Sequence, residues 1–218
     1  MLLQGTLLGG GEPEIDAGAT FEHIDLDDHS WVDVAREWLR GADTLLDALL
    51  ARVEWKQGKR WMYERMVDDP RLSRWFPAGV PTPHPVLDAA RRALSERYGV
   101  PFGSVGLNYY RDGDDSVAWH SDKELRELDD TRIAILTLGA RRAFLIRSKH
   151  GGKSRDIKPG PGDLLVMGGR AQMDWEHNVP KTRRAVGPRV SCSWRWMRSR
   201  AVRPMARGRA PGRSAAGT

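Results

Sequence analysis

Arg189-Val190-Ser191-Cys192-Ser193-Trp194-Arg195-Trp196 alternates without a break. Arg, Ser, Ser and Arg hold the odd positions; Val, Cys, Trp and Trp hold the even ones. Successive side chains of a strand point to opposite faces, so this run is a strand with one cationic, polar face and one apolar face. Two placements are open. If the polar face lines a barrel interior, two guanidinium groups enter a cavity, and a buried charge requires an anionic partner. Their Cα atoms would then lie about 20 Å apart along the strand. Two long side chains leaning toward each other could still grip both ends of a short diacid. If instead the arginines face solvent, the tryptophans are the core.

Shorter runs of the same character lead up to it: Val105–Arg111, Ser116–Asp122, Thr131–Leu138, Ala143–Arg147 and Asp163–Met167. Turn signals such as Asp112-Gly113-Asp114-Asp115 and Lys158-Pro159-Gly160-Pro161-Gly162 separate them. Many short strands between Gly/Pro turns indicate a sandwich or jelly roll. Upstream the periodicity changes. Ser30 can cap a helix from Trp31 with Val34, Ala35, Trp38 and Leu39 on one stripe, interrupted at Gly41; a second shows Leu45, Leu46, Leu49, Leu50 and Val53. A third, Val86–Tyr98, turns Leu87, Ala90, Leu94 and Tyr98 inward and stops at Gly99 and Pro101. Between them, Trp55 to Tyr63 is short and aromatic, and Gly58 reads as the turn of a hairpin or flap.

The expectation is an α+β chain: a double-stranded β-helix (jelly-roll) core with N-terminal helices and a flap. Residues 1–20 are extended or loosely ordered, 21–102 hold the helices and flap, 103–197 the jelly roll, and 198–218 a basic tail without apolar period.

At 218 residues, 40% of them hydrophobic and 29% charged, the composition is that of an ordinary globular protein with room for one buried core. No apolar run reaches the ~18–20 residues of a membrane span, and Met1-Leu2-Leu3 opens no signal-like segment. Cys192 is the only cysteine, which excludes an intramolecular disulfide and a cysteine metal cluster and points to the cytoplasm. The net charge of +6 is unevenly spread. Residues 1–50 carry eleven acids against two arginines, while residues 198–218 carry six Arg and no acid. A basic middle, 51–197, suits a polyanionic partner, although a solvated face would look the same.

His120-Ser121-Asp122 carries the chemistry. Residues two apart on a strand share a face, so imidazole and carboxylate can converge on one ion. His177, in Trp175-Glu176-His177-Asn178-Val179-Pro180, is the candidate third ligand. Two His and one carboxylate leave three octahedral positions open, the facial triad of non-haem Fe(II) oxygenases. His23, His29, His84 and His150 lie among loop or helix signals and read as surface. Asn108 and Tyr110, two apart, could add an amide and a phenol to the diacid held by Arg189 and Arg195.

In order and spacing, these motifs resemble the AlkB-type oxidative dealkylases. The matching runs are Asn108-Tyr109-Tyr110, Ser116 to Glu124, Leu138 to Arg142, Gly162 to Gly169, Trp175 to Thr182 and Pro188 to Arg195, roughly residues 50–197 overall. The resemblance implies Fe(II) on His120, Asp122 and His177, and 2-oxoglutarate on Asn108, Tyr110, Arg189, Ser191 and Arg195, with O₂ as the other co-substrate. Ser191 stands where some relatives have Asn. Glu124 matches a carboxylate that contacts the target base, and Tyr63 and Trp75 are candidates to stack on it, or to pack beneath the flap. Arg141, Arg142, Arg147, Lys149 and Lys153 are candidate phosphate contacts. The implied activity is oxidative removal of alkyl groups from bases of the 1-methyladenine and 3-methylcytosine kind, by a monomer on nucleic acid, DNA ahead of RNA, with no membrane. The alternatives are an oxygenase acting on protein, lipid or a small molecule, and a β-barrel binding module.

Overall fold

The computed structural model describes residues 10–62 and 64–197. In chain order the elements are β1 (Glu14–Ile15), β2 (Phe21–Asp25), β3 (Ser30–Ala35), β4 (Leu39–Arg40), α1 (Ala42–Arg52), β5 (Lys56–Met62), β6 (Arg65–Phe76), α2 (Pro85–Tyr98) and β7 (Val105–Tyr110). They continue with β8 (Val117–His120), β9 (Thr131–Gly139), β10 (Leu145–Ser148), β11 (Arg155–Asp156), β12 (Leu164–Gly169), α3 (Ala171–Asp174), β13 (Trp175–Val179) and β14 (Arg189–Met197). An eight-stranded sheet runs β2-β3-β12-β9-β14-β7-β6-β5, and a four-stranded sheet runs β11-β10-β13-β8. This is the expected jelly roll, with its two sheets enclosing a shared interior. β2, β3, β5 and β6 belong to the same sheet as β7, β9, β12 and β14, while β1 and β4 pair with each other in a two-stranded sheet.

The alternation of β14 is realised with both faces buried. β14 sits mid-sheet between β7 and β9. Val190, Cys192 and Trp194 join the core beneath the helices, where Leu45, Leu49, Leu87 and Leu94 are fully covered. Each such side chain contributes roughly 1.5–3 kcal/mol by leaving water. Arg189, Ser191, Ser193 and Arg195 turn to the other side, toward the second sheet, beside a smaller apolar cluster that includes Ile133, Phe144 and Val179.

α1 and α2 form as the sequence reads. His84 caps α2, its Nδ1 accepting from the N–H of Val86 at 3.2 Å; Pro85 opens the helix and Gly99, at φ 63°, closes it. Gly41 precedes α1 at φ 66°, and a Cβ there would come within 2.8 Å of the carbonyl oxygens of Gly11 and Glu12.

The helix expected from Trp31 is instead β3. Its Val34-Ala35-Trp38-Leu39 stripe fits a helical period, but the β-branched Val32 and Val34 suit a strand, and β3 is paired on both sides, to β2 and β12. Burial on both faces removes the alternation that would have marked it. Gly58 is likewise no turn. It lies within β5 at a register shift, where a Cβ would collide with the Asp69 carboxylate, and the chain reverses between Met62 and Arg65. Residues 198–218 and Tyr63 lie outside the described residues.

Candidate metal and co-substrate site

β8 and β13 pair so that His120 and His177 are direct Cα partners, and their rings lie 4.3 Å apart between centroids. Asp122 follows β8 by two residues and brings Oδ1 to 3.9 Å from Nε2 of His120. One ligand atom from each of the three can lie within 4.8 Å of the others, close enough to share an ion. The tautomer of His120 follows from its surroundings. Its Nδ1 lies 2.9 Å from the Ala118 carbonyl, which only accepts, so Nδ1 carries the proton and Nε2 faces the site. His177 is buried, with its ring stacked on Phe144 at 5.4 Å.

The charge states favour a cation. Burial holds His120 below its ordinary pKa, and burial together with the neighbouring His120 pushes His177 down to about 3, so both are neutral at pH 7. Burial would raise Asp122, but the charge and hydrogen bond of Arg195 outweigh it, leaving the carboxylate below its usual range and ionised. Two neutral imidazoles and one carboxylate form a nitrogen–oxygen set suited to Fe(II).

The same cavity, about 360 Å³, contains Asn108, Tyr110, Arg189, Ser191 and Arg195. Arg189 is only 1% exposed. Its Nη2 lies 3.3 Å from the Thr137 hydroxyl and its guanidinium 5.0 Å from the centre of the Tyr110 ring, while Nε and Nη1 meet no hydrogen-bond partner among the described residues. Burial lowers its pKa, yet an arginine remains charged. A buried cation that lines the cavity and keeps two donors unmatched among the described residues fits a carboxylate ligand, as 2-oxoglutarate requires. Arg195 differs: its Nε donates to Oδ2 of Asp122 at 2.5 Å, so it lies at the end of the cavity that holds His120, Asp122 and His177.

The substrate candidates separate. Trp75 is 52% exposed and packs over Gly106, outside the cavity lining. Glu124 is exposed in the turn after β8, because the strand stops at His120, so it does not share a strand face with Asp122. Tyr63 is outside the described residues. Of the candidate phosphate contacts, Arg142 is buried and donates to the carbonyls of Asp112 (2.7 Å), Asp115 (3.1 Å) and Pro180 (2.7 Å), a structural use. Lys149 caps the carbonyls of Gln172 and Met173 at 3.0 and 2.8 Å. Arg147 pairs with Glu176 at 2.6 Å and lies 3.9 Å over the Trp119 ring. Arg141 and Lys153 are exposed.

Sequence reasoning missed the site role of Arg71, whose Nε donates to Oδ1 of Asn108 at 2.9 Å inside the cavity.

A family model described as the 2OG-Fe(II) oxygenase superfamily matches residues 41–207. The chain belongs to that superfamily. Alpha-ketoglutarate-dependent dioxygenase alkB homolog 3 from Mus musculus and from Homo sapiens are 34% and 33% identical to it over 177 residues, covering 72% of this chain and 62% of theirs. DNA oxidative demethylase ALKBH2 from Homo sapiens is 32% identical over 119 residues, covering 51% of this chain and 46% of that protein. The AlkB-type resemblance seen in the motifs is thus shared by whole-segment relatives, though the chain spans about three fifths of the length of the alkB homolog 3 proteins it matches. Among solved structures, a prolyl hydroxylase from Trichoplax adhaerens in complex with a hypoxia inducible factor peptide superposes with a TM-score of 0.59 at 11% identity, over 76% of this chain and 83% of that one. A 2OG-Fe(II) oxygenase family oxidoreductase from Burkholderia pseudomallei gives 0.51 at 17%, over 71% and 78%. At these identities the likeness is one of fold. No helix among the described residues is long and apolar enough to cross a membrane.

Proposed function

We propose that the chain is an Fe(II)- and 2-oxoglutarate-dependent dioxygenase that removes alkyl groups oxidatively from nucleic-acid bases. The observation that carries it is the shared cavity: three mutually close candidate ligands, His120, Asp122 and His177, and on its wall the buried guanidinium of Arg189, with Nε and Nη1 unmatched among the described residues. His120, Asp122 and His177 would hold the metal; Arg189 would bind a co-substrate carboxylate, with Asn108, Tyr110 and Ser191 beside it. Iron and 2-oxoglutarate together supply oxidation of a C–H bond by O₂, with succinate and CO₂ as by-products.

The protein's own residues supply order and exclusion. Ile133, Phe144 and Val179 line the cavity wall and keep water from the reacting carbon. Arg71 holds Oδ1 of Asn108, so that the amide nitrogen is the end turned toward an anion. A base has to leave its stack to reach this depth. The β5–β6 hairpin supports that step: Trp61 and Met66 are cross-strand partners, 68% and 56% exposed, and Trp75 on the same hairpin is 52% exposed. Tyr63 and Trp75 would stack on the base and Glu124 would approach its exocyclic amine. The names of the ALKBH2 relatives support DNA ahead of RNA as the substrate, and the single cysteine supports a cytoplasmic protein, which we take to be a monomer.

Incubating the protein with Fe(II), 2-oxoglutarate, ascorbate and an oligonucleotide carrying 1-methyladenine or 3-methylcytosine tests this. Formaldehyde should appear in step with succinate. Succinate without formaldehyde from any alkylated oligonucleotide would move the substrate to protein, lipid or a small molecule.

A further inference from the structure

Of the three ligands, Asp122 alone lies outside a strand. His120 ends β8 and His177 lies within β13, where the ladder fixes both backbones. Asp122 starts a turn, its carbonyl accepting from the N–H groups of Leu125 (2.9 Å) and Arg126 (3.0 Å). Its own N–H donates to Oε1 of Gln172 at 2.9 Å. Gln172 is 0% exposed and belongs to α3, fifty positions away in sequence.

The other end of that amide, Nε2, lies 3.9 Å from the Met167 sulfur. A thioether is a weak acceptor, so the amide's one strong hydrogen bond is to Asp122. Burying an amide costs free energy that an apolar side chain of the same length would not. α3 is itself braced, by Lys149 on the carbonyls of Gln172 and Met173 and by Arg170 Nε on Asp174 at 2.7 Å. Asp122 is therefore gripped twice: through its backbone by Gln172 and through Oδ2 by Arg195, with Oδ1 left toward His120.

We infer that Gln172 is a positioning residue for the metal centre: its side-chain oxygen fixes the backbone of Asp122 so that the carboxylate is held as the third ligand. This rests on the reading of His120, Asp122 and His177 as a metal site. Hydrogen-bond partners of ligands typically change metal affinity by about 10–100-fold when removed.

The test uses the full chain and Gln172→Met, which keeps the length and removes the acceptor. Mn(II) affinity by calorimetry should fall about 10–100-fold, the absorption bands of the Co(II)-loaded protein should shift, and the metal-free melting temperature should stay close to wild type. An unchanged Mn(II) affinity in a folded Gln172→Met protein would overturn the inference while leaving the metal reading intact. Failure of the wild type to bind Mn(II) at all would overturn both. Should Gln172→Met not fold, amide exchange in the metal-free wild type decides: the Asp122 N–H should exchange about a hundredfold or more slowly than an open chain, and free exchange would overturn the inference.

Discussion

Arg195 Nε donates to Asp122 Oδ2 at 2.5 Å, whereas Arg189, on the same face of the same strand, has two donors without a partner among the described residues. The two arginines share a cavity but are not equivalent. One is paired with Asp122; the other is a buried charge whose Nε and Nη1 are unmatched among the described residues.

Arg189→Met should therefore separate stability from binding. Replacing a buried, unmatched cation by an apolar side chain of similar length removes a desolvation cost. The metal-free protein should melt at a higher temperature than wild type, Mn(II) affinity should hold, and 2-oxoglutarate affinity in the presence of Mn(II) should fall about 10–100-fold, the weight of a charge-assisted pair. A variant that melts lower and still binds 2-oxoglutarate would show that Arg189 has a structural partner.

Arg195→Met should instead weaken the metal itself, because Asp122 loses both its hydrogen bond and the neighbouring charge that keeps it ionised. Calorimetry with Mn(II) should show a loss for Arg195→Met that Arg189→Met does not share; equal affinities would mean that Asp122 orients without help.

His120→Ala, Asp122→Ala and His177→Ala should each abolish turnover while leaving the far-ultraviolet circular dichroism unchanged, since a facial site with two ligands holds its ion poorly. Retention of more than a few per cent of wild-type dealkylation, on the order of one-thirtieth, in any of them would remove that residue from the ligand set.

The sequence showed the chemistry more clearly than the layout. Arg189 and Arg195 could be placed together because β14 keeps its alternation intact, and His120 and His177 face them from the second sheet, whereas Asp122 reaches the same cavity from a turn beyond β8 rather than from a shared strand face. β3 was not readable, because a strand buried on both faces loses its period, and Val34, Ala35, Trp38 and Leu39 mimic a helical stripe. Gln172 and Arg142 were not readable either. Each acts on backbone groups far along the chain, of Asp122 in one case and of Asp112, Asp115 and Pro180 in the other, and nothing local marks such a contact.

Trp75→Ala should raise the apparent KM for methylated oligonucleotides, because stacking on one aromatic is worth about 1–3 kcal/mol per base. Substrate-free 2-oxoglutarate turnover should be unaffected, as Trp75 lies outside the cavity lining. Glu124→Ala should alter the preference between methylated adenine and cytosine. Steady-state kinetics on the two oligonucleotides tests both; unchanged values would leave Trp75 as surface and Glu124 as an ordinary turn residue.

A pH effect on stability is expected far from the site. His23 Nδ1 lies 2.5 Å from Asp33 Oδ1, and Asp33 Oδ2 accepts from the Tyr98 hydroxyl at 2.8 Å. The bond to Asp33 raises the pKa of His23 above its ordinary value despite some burial. A raised folded-state pKa means that folding favours the protonated ring, so the stabilisation is complete below about pH 6.5 and fades as pH rises through the folded-state value. His23 is half exposed, so solvent screening keeps the effect small. In urea titrations, His23→Asn should be less stable than wild type at about pH 5.5, with the gap closing by about pH 9; a gap that does not change with pH would remove the ion pair from the account.

The most direct test of the whole account is mass spectrometry of a 3-methylcytosine oligonucleotide after incubation with the iron-loaded protein and 2-oxoglutarate. The expected result is loss of one methylene per modified base, matched one for one by succinate, and loss of both signals in Asp122→Ala. An oligonucleotide of unchanged mass beside a steady yield of succinate would contradict it.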